Sequence, residues 1–205
     1  MKRIVFILFA LCLIGCSDSS DRFPESNIVT IKSNSNDGLH VLWNPEGFST
    51  FDKVALMEEF VNKGGERLSY IDRGYLVPIN TPSEPTINVE IRIGSRDNPA
   101  SIPFEQESRV KLKSEEYLLI SDGLILLSDM DHLSKKPAKT VKGVKVKPGR
   151  YAARVYYIQY PQEMRQGPAA SAPFVVTLNP EPAPRDNYRR SLRTWDQSLG
   201  SVKAY

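Results

Sequence analysis

The chain has 205 residues, which is enough for one ordinary domain with a buried core. It carries 27 lysine and arginine residues against 24 aspartate and glutamate residues, a formal net charge of +3. A charge this close to balance makes no electrostatic case for nucleic-acid binding, which requires a clustered basic surface.

The N-terminus has the layout of an export signal. Lys2 and Arg3 precede an apolar run over residues 4–14, which is followed by the small residue Gly15. This order is typical of a cleaved signal peptide. The run is too short for a membrane-spanning helix, which needs about 20 apolar residues. Residues 1–15 are therefore predicted to be a signal peptide.

The end of this signal, Leu13-Ile14-Gly15-Cys16, resembles the lipobox of bacterial lipoproteins. The resemblance implies that the Cys16 thiol receives a diacylglyceryl group, that the chain is cut before Cys16, and that the new amine is acylated, for example with palmitate. By the enterobacterial sorting rule, Ser17 after the cysteine implies the outer membrane, with the body facing the periplasm. Other sorting rules leave the inner membrane or the cell surface open.

Removal of the signal changes the charge and the cysteine content. The basic residues fall from 27 to 25 against 24 acidic ones. Cys12 leaves with the signal and Cys16 carries the lipid, so no cysteine remains for a disulfide or a thiolate metal site. Residues 16–26 are polar and rich in turn formers, and they predict a flexible tether that reaches at most about 35–40 Å.

Residues 27–180 are predicted to be one mainly β domain, a β-sandwich with one or two short helices. Apolar and polar residues alternate from Ile87 to Ile93, as in a strand with one buried face. Many short strands separated by turn signals favour a sandwich. Further β-type runs lie at residues 28–31, 39–43, 117–120, 124–127, 151–160 and 174–178.

The pair Asp122-Gly123 separates two of these runs, residues 117–120 and 124–127. Aspartate and glycine tolerate the positive φ angles that a two-residue hairpin turn needs. The two runs are therefore predicted to pair as a tight β-hairpin.

Residues 51–63 break the β pattern. Their apolar side chains fall on one helical face, and Gly64-Gly65 after them is a stop signal, which favours a short helix. A hairpin of residues 54–61 and 66–71 is the alternative, and both interpretations stay open.

Residues 181–205 are predicted to be a proline-rich linker followed by a short amphipathic helix. The apolar residues recur at spacings of four and three, which is typical of one helical stripe. The stripe either docks on the protein's own sheet or binds a partner. It consists of Tyr188, Leu192, Trp195, Leu199 and Val202.

The two histidines are the first candidates for chemistry. His40 lies in a β-type run and is expected to be an ordinary, half-exposed strand residue. His132 follows Asp129 and Asp131, which together could offer two carboxylates and an imidazole to a metal ion. The segment lacks the glycine and the bidentate glutamate of a calcium loop, and zinc would need a further ligand. A polar turn without a metal is predicted.

No catalytic motif stands out in the sequence. The carboxylate pairs Glu58-Glu59 and Glu115-Glu116 have the residue types of a glycosidase acid and base. On a helix or a loop such pairs usually face solvent. We therefore predict no catalytic residue and no cofactor.

Two segments have the composition of binding surfaces, which favour tyrosine, tryptophan and arginine. One is the aromatic and arginine-rich run at residues 150–160, of which one strand face is expected to be core and the other a binding face or a covered one. The other is the C-terminal stripe. The candidate partner-binding residues are Arg150, Arg154, Tyr156, Tyr160, Tyr188, Leu192 and Trp195.

Residues 118–151 also resemble small bacterial β-domains in which an Asp-Gly hairpin precedes a strand that opens on Pro-Gly-x-Tyr. Some members of that group neutralise toxins or inhibit nucleases. No functional residue is transferred from this resemblance.

Together these features predict a membrane-anchored periplasmic lipoprotein that acts as a non-enzymatic protein-binding module. Its partners would be membrane lipid through Cys16 and another envelope protein. The role is either immunity against a toxin or membership of an envelope or secretion complex. An envelope enzyme that acts on cell-wall glycan or peptide is the alternative.

Overall fold

The computed structural model describes residues 26–48, 68–81, 86–164 and 171–196. Several predicted features lie outside these residues. They are the signal peptide, Cys16 and the tether before residue 26, the helix at residues 51–63, the pair Glu58-Glu59, and the stripe residues Leu199 and Val202.

The described part of the chain contains ten strands. Their bounds are β1 Ile28–Asn34, β2 Leu39–Trp43, β3 Leu76–Asn80, β4 Thr86–Ile93, β5 Val110–Lys113, β6 Tyr117–Ser121, β7 Leu124–Asp129, β8 Lys142–Lys145, β9 Gly149–Ile158 and β10 Phe174–Pro180. The described α-helices are α1 Ser69–Asp72 and α2 Phe104–Glu107, and single 3-10 turns lie at Pro45–Phe48, Met130–His132 and Gln162–Met164. Neither α-helix is long and apolar enough to cross a membrane.

The strands form two sheets. The first sheet has the order β1-β4-β10-β9, and both β5 and β6 pair with the remaining edge of β9. The second sheet has the order β3-β2-β7-β8. Side chains from both sheets share one hydrophobic cluster, so the sheets pack face to face. The predicted mainly β, sandwich-like fold is confirmed.

The period-two run in β4 forms a central strand of the first sheet. Ile87, Val89 and Ile91 are buried, whereas Asn88 and Glu90 between them are partly exposed. One face therefore meets the core and the other meets solvent, as the alternation predicts. β4 pairs antiparallel with β1 and parallel with β10.

Aromatic side chains fill the core between the sheets. Trp43 is fully buried, and its indole N–H donates to Ser128 Oγ at 3.0 Å. Phe48 meets its ring edge to face, with the centroids 5.3 Å apart. Such pairs prefer this geometry because the ring edge is positive and the ring face is negative.

The prediction of a hairpin at Asp122-Gly123 is wrong. β6 pairs with β9 in the first sheet, whereas β7 pairs with β2 and β8 in the second. Gly123 has φ +117°, and its carbonyl accepts from the Val146 N–H at 3.1 Å. The chain does not reverse here. The antiparallel partners of β6 and β7 follow one another along one segment, from Ala153 back to Lys142, so β6 continues in the same direction into β7 and crosses from the first sheet to the second.

Two further expectations change. Ser69–Asp72 is a helical turn, which contradicts the second strand of the alternative hairpin at residues 66–71 where that strand is described.

The predicted C-terminal helix is wrong for residues 188–196, which contain no helix. Their backbone groups bond to neighbouring segments instead, for example the Arg189 N–H to the Glu116 carbonyl, directly before β6, at 2.7 Å.

Candidate functional site

The aromatic and arginine-rich run forms β9, at the centre of the first sheet. Tyr151, Ala153 and Val155 point into the core. This confirms that one face of the run is core. On the opposite face, Arg154 and Tyr156 are partly exposed.

The rest of that outer face is largely engaged within the protein. Arg150 pairs with Glu181, and Arg154 Nη2 lies 3.1 Å from Glu116 Oε1. Tyr160 is buried in a second, smaller hydrophobic cluster with Ile102, Ile158 and Val175. Of the two candidate tyrosines in this run, Tyr160 is buried and Tyr156 keeps part of its ring exposed to solvent.

We call residues 181–196 the C-terminal strap. They have an irregular conformation and contact both sheets. Tyr188, Leu192 and Trp195 are all buried, and the last two join the main core. The described part of the apolar stripe therefore docks on the protein's own sheets. With Tyr160, these three side chains are unavailable to a partner in this conformation, contrary to the partner-binding hypothesis.

The strap is bonded to β3, the edge strand of the second sheet. The Thr194 N–H donates to Asn80 Oδ1 at 2.7 Å, and the Asn80 N–H donates to Thr194 Oγ1 at 2.9 Å. The Thr194 hydroxyl donates to the Pro78 carbonyl, and the Trp195 indole N–H donates to the Asn80 carbonyl, both at 2.9 Å. These bonds satisfy an edge that would otherwise invite pairing with another chain.

A buried tyrosine of β6 holds the middle of the strap. The Tyr117 hydroxyl lies 3.0 Å from both the Ser191 and Arg193 carbonyl oxygens, and it accepts from Arg189 Nε at 3.0 Å. Burial raises the pKa of Tyr117 far above its ordinary value, although the Arg189 guanidinium opposes this shift. The Tyr117 hydroxyl is therefore neutral and holds the strap through its hydrogen bonds.

Carboxylates anchor the strap to the first sheet. The Glu181 side chain is 1% exposed and accepts from Arg150 Nε and from the Arg185 N–H, the latter at 2.8 Å. Glu116 lies between Arg154 and Arg185. Glu115, its neighbour, is exposed and lies 3.6 Å from Arg189. The pair Glu115-Glu116 thus binds arginines of the protein itself.

The histidine candidates are also structural. His40 is fully buried, which contradicts the expected half-exposed strand residue, and its Nδ1 lies 2.9 Å from Ser33 Oγ. Asp129 caps the turn that follows it by accepting from the His132 N–H at 3.2 Å and from the His132 ring. Among the described residues, no three histidine, cysteine or acidic side chains lie close enough together to hold a metal ion.

One exposed surface contains the candidate Tyr156 and four residues that were not predicted from the sequence. The Phe104 side chain is 87% exposed and lies on α2, which has no buried residue. The chain continues from α2 through Arg109 into β5. The Arg109 guanidinium donates to Met164 Sδ at 3.5 Å, and Lys113 Nζ lies 5.9 Å from the Tyr156 ring centroid. We call these five residues the Phe104 surface.

A second unpredicted feature is a groove of about 1120 Å³ at one end of the sandwich. We call it the basic groove, because Arg96, Lys145, Lys147 and Arg150 line it and Glu181 is the sole acidic residue among its described lining residues. Its other lining residues are Ser26, Asn27, Ile93, Gly94, Ser95, Gly123, Val146, Pro148, Gly149, Tyr151 and Pro180.

The basic groove and the Phe104 surface lie toward opposite ends of the first sheet. β9 starts in the groove at Gly149 and Arg150, and six residues later Tyr156 belongs to the Phe104 surface. At about 3.3 Å per residue, the two features are separated by roughly 20 Å along this strand.

No protein-family model matches the chain, and no curated protein matches it. Solved structures that match it include one described as crocagin biosynthetic gene J, which is 14% identical, has a TM-score of 0.46, and is matched over 76% of this chain and 96% of that chain. Another is ComJ from Bacillus subtilis, described as an inhibitor of the DNA degrading activity of NucA, at 9% identity and a TM-score of 0.42, over 77% of this chain and 98% of that chain. Likenesses of this degree carry no conclusion about what this chain does.

Proposed function

We propose that this protein is a lipoprotein, anchored through Cys16 in the outer membrane and facing the periplasm. We further propose that its body is a non-enzymatic module that binds another envelope protein through the Phe104 surface. The lipobox-like sequence supports the anchor, and Ser17 after the cysteine supports the outer membrane.

The exposure of Phe104 is the observation that carries the binding proposal. A phenyl ring that is 87% exposed forgoes the free energy of burial, which favours moving such a ring out of water. Phenylalanine and the other aromatic residues are enriched at protein interfaces relative to the rest of the surface. The ring is thus available for burial by a partner.

The buried cluster and the backbone pairing next to the Phe104 surface favour a preformed binding site. Ile102, two residues before Phe104, is buried with Ile158, Tyr160 and Val175 in the second cluster. The following chain pairs with β9, and the Gln159 N–H donates to the Arg109 carbonyl at 3.0 Å. A rigid surface loses little conformational entropy on binding.

The composition of the Phe104 surface describes the partner. Phe104, Tyr156 and Met164 offer apolar area, and the cations Arg109 and Lys113 are balanced by Glu105 and Glu107, which are exposed on α2 next to Phe104. A matching partner would therefore present an apolar pocket with polar and charged groups of both signs at its rim. A toxin that enters the periplasm fits this description, and so does a component of an envelope complex. Deleting the gene would sensitise cells to killing by sister cells in the first case and leave survival unchanged in the second.

Replacement of Phe104 by serine tests the binding surface. A hot-spot aromatic contributes about 2 kcal/mol or more, so we expect Phe104→Ser to weaken partner binding about 30-fold or more while thermal stability stays unchanged. The partner is first captured from envelope extracts with the wild-type protein and identified, and its affinity is then measured with purified variants.

Ile28→Ser is the matched control for this measurement. Ile28 is also an exposed apolar residue, at 54%, but it adjoins Asn27 at the basic groove. Partner binding should survive this change. Equal affinities of wild type, Phe104→Ser and Ile28→Ser would show that the Phe104 surface is not the binding site.

A further inference from the structure

The described chain begins inside the basic groove. Ser26 and Asn27 line it, and the Asn27 carbonyl accepts from the Ile93 N–H at 2.8 Å. The preceding residues, which include Cys16, therefore join the body at this end of the sandwich. Nine residues lie between Cys16 and Ser26, and the ten residue steps from one to the other span at most about 33–36 Å.

The same end of the molecule collects positive charge. Residues 134–150 contain six lysines and one arginine and no acidic residue, although the whole chain is nearly balanced. Lys145 and Lys147, at the end of this run, line the groove with Arg96. Arg150 is engaged by Glu181, whereas neither Arg96 nor Lys147 takes part in a salt bridge among the described residues.

The surroundings of these cations are accessible. Arg96 and Lys147 are both exposed, and Asp97 beside Arg96 is the nearest acidic residue in that loop. Ile28, next to the groove-lining Asn27, adds an exposed apolar side chain. A cluster of basic side chains with an adjoining apolar residue is typical of surfaces that rest on anionic lipid headgroups.

We propose that the basic groove docks on the anionic phospholipid headgroups of the membrane that holds the lipid anchor. The inference rests on the proposed anchoring through Cys16. Docking gives the tethered body a fixed orientation, in which the groove faces the bilayer and the Phe104 surface faces away from it. The partner-binding surface is then presented to the periplasm and not to the lipid.

Lysine accessibility on vesicles tests this orientation. The full lipidated protein is reconstituted on vesicles of phosphatidylcholine alone or of phosphatidylcholine with phosphatidylglycerol, and its amines are acylated with a water-soluble reagent. We expect labelling of Lys145 and Lys147 to fall about threefold or more on the anionic vesicles only, and to recover in molar salt, which shortens the Debye length to about 3 Å. Lys113, at the Phe104 surface, should label equally on both.

Two charge-removing substitutions test whether the positive charge of the groove causes the protection of the lysines. Arg96→Gln removes a groove cation and leaves both reporter lysines in place, so the protection on anionic vesicles should decrease. Lys139→Gln removes the same charge from the basic run outside the groove lining, and protection should persist.

The outcomes separate docking from anchoring. A protein that floats with both kinds of vesicle but labels equally on them keeps its anchor and overturns the docking. Flotation with anionic vesicles alone, with both lysines protected, supports docking and overturns the anchor. Flotation with neither kind overturns both proposals.

Discussion

At the scale of single residues, Glu181 joins the C-terminal strap to the first sheet. Burial by itself raises the pKa of this carboxyl, but the hydrogen bonds from Arg150 and from the Arg185 N–H outweigh burial, and the net pKa is lowered from 4.5. A lowered pKa means that the folded protein favours the ionised form. Its contribution to stability is therefore complete above pH 4.5 and is lost as the pH falls through the lowered value.

Substitution of Glu181 by glutamine should reveal this contribution. Glutamine keeps an acceptor for the Arg185 N–H but loses the charge-assisted bond with Arg150, so we expect stability at pH 7 to fall by about 1–2 kcal/mol. Chemical denaturation between pH 7 and pH 3 measures the effect, and the variant should lose less stability on acidification than wild type.

Glu115→Gln is the control for this prediction. Glu115 is exposed and its contact with Arg189 is long, so this change should cost less than about 0.5 kcal/mol. Identical acid profiles for wild type and Glu181→Gln would contradict the role given to Glu181.

At the scale of elements, the strap takes the place that an additional strand or helix would fill. It covers the edge of β3 through Thr194 and Trp195, and it reaches β6 through Tyr117. The strap forms few regular backbone ladders, so side-chain hydrogen bonds and three buried apolar residues hold it. Loss of one such bond should open the strap locally before the sandwich unfolds.

Tyr117→Phe tests this local opening. The change leaves the carbonyls of Ser191 and Arg193 without the tyrosine hydroxyl, a loss of about 1–2 kcal/mol, so hydrogen exchange at the Arg189 and Thr194 amides should accelerate about tenfold. Mass spectrometry of peptides from residues 186–196 measures the exchange.

Tyr151→Phe is the matched control, since it also removes one hydroxyl bond from a buried tyrosine. The Tyr151 hydroxyl donates to the Lys147 carbonyl at 2.8 Å, away from the strap. Exchange of the strap should stay at the wild-type rate. Equal acceleration in both variants would show that global stability, and not Tyr117, controls the strap.

At the scale of the whole molecule, the sandwich separates its attachment end from its proposed binding end. The chain enters at the basic groove, and β9 leads from there to the Phe104 surface. The proposed lipid anchor would confine the body near its membrane and raise its effective concentration for a partner that arrives there. The two ends could then work at the same time.

Metabolic labelling tests the anchor itself. A fatty-acid probe should label the wild-type protein in cells and leave Cys16→Ser unlabelled, because the thiol is the predicted site of lipid attachment. The Cys12→Ser variant is the control and should label like wild type. Equal labelling of Cys16→Ser and wild type would rule out Cys16 as the lipid site.

Local sequence patterns predicted the positions of seven of the ten described strands, but not those of β3, β5 and β8. The alternation from Ile87 to Ile93 follows from the period-two geometry of a strand with one buried face, so it predicts β4 without knowledge of its neighbours. The core face of β9 follows from the same rule, which places Tyr151, Ala153 and Val155 inward.

The candidate site could not be derived in this way. Phe104 has no local signal, since nothing in the segment itself shows that Ile102 is buried and Phe104 is exposed. The net charge of the whole chain concealed the basic groove, because a sum over the sequence does not show where cations gather. The run at residues 134–150 carried that signal, but the groove also needs Arg96 from a distant loop.

The sequence alone determined that this protein is built of short strands, because side-chain periodicity is a local property of the backbone. It also determined the order of basic start, apolar run and Cys16 on which the proposed anchor rests. Only the tertiary structure decided that β6 and β7 separate into different sheets and that Leu192 and Trp195 enter the core without a helix. Strand pairing and burial depend on contacts between distant segments, and a turn or a spacing of apolar residues is compatible with several such arrangements.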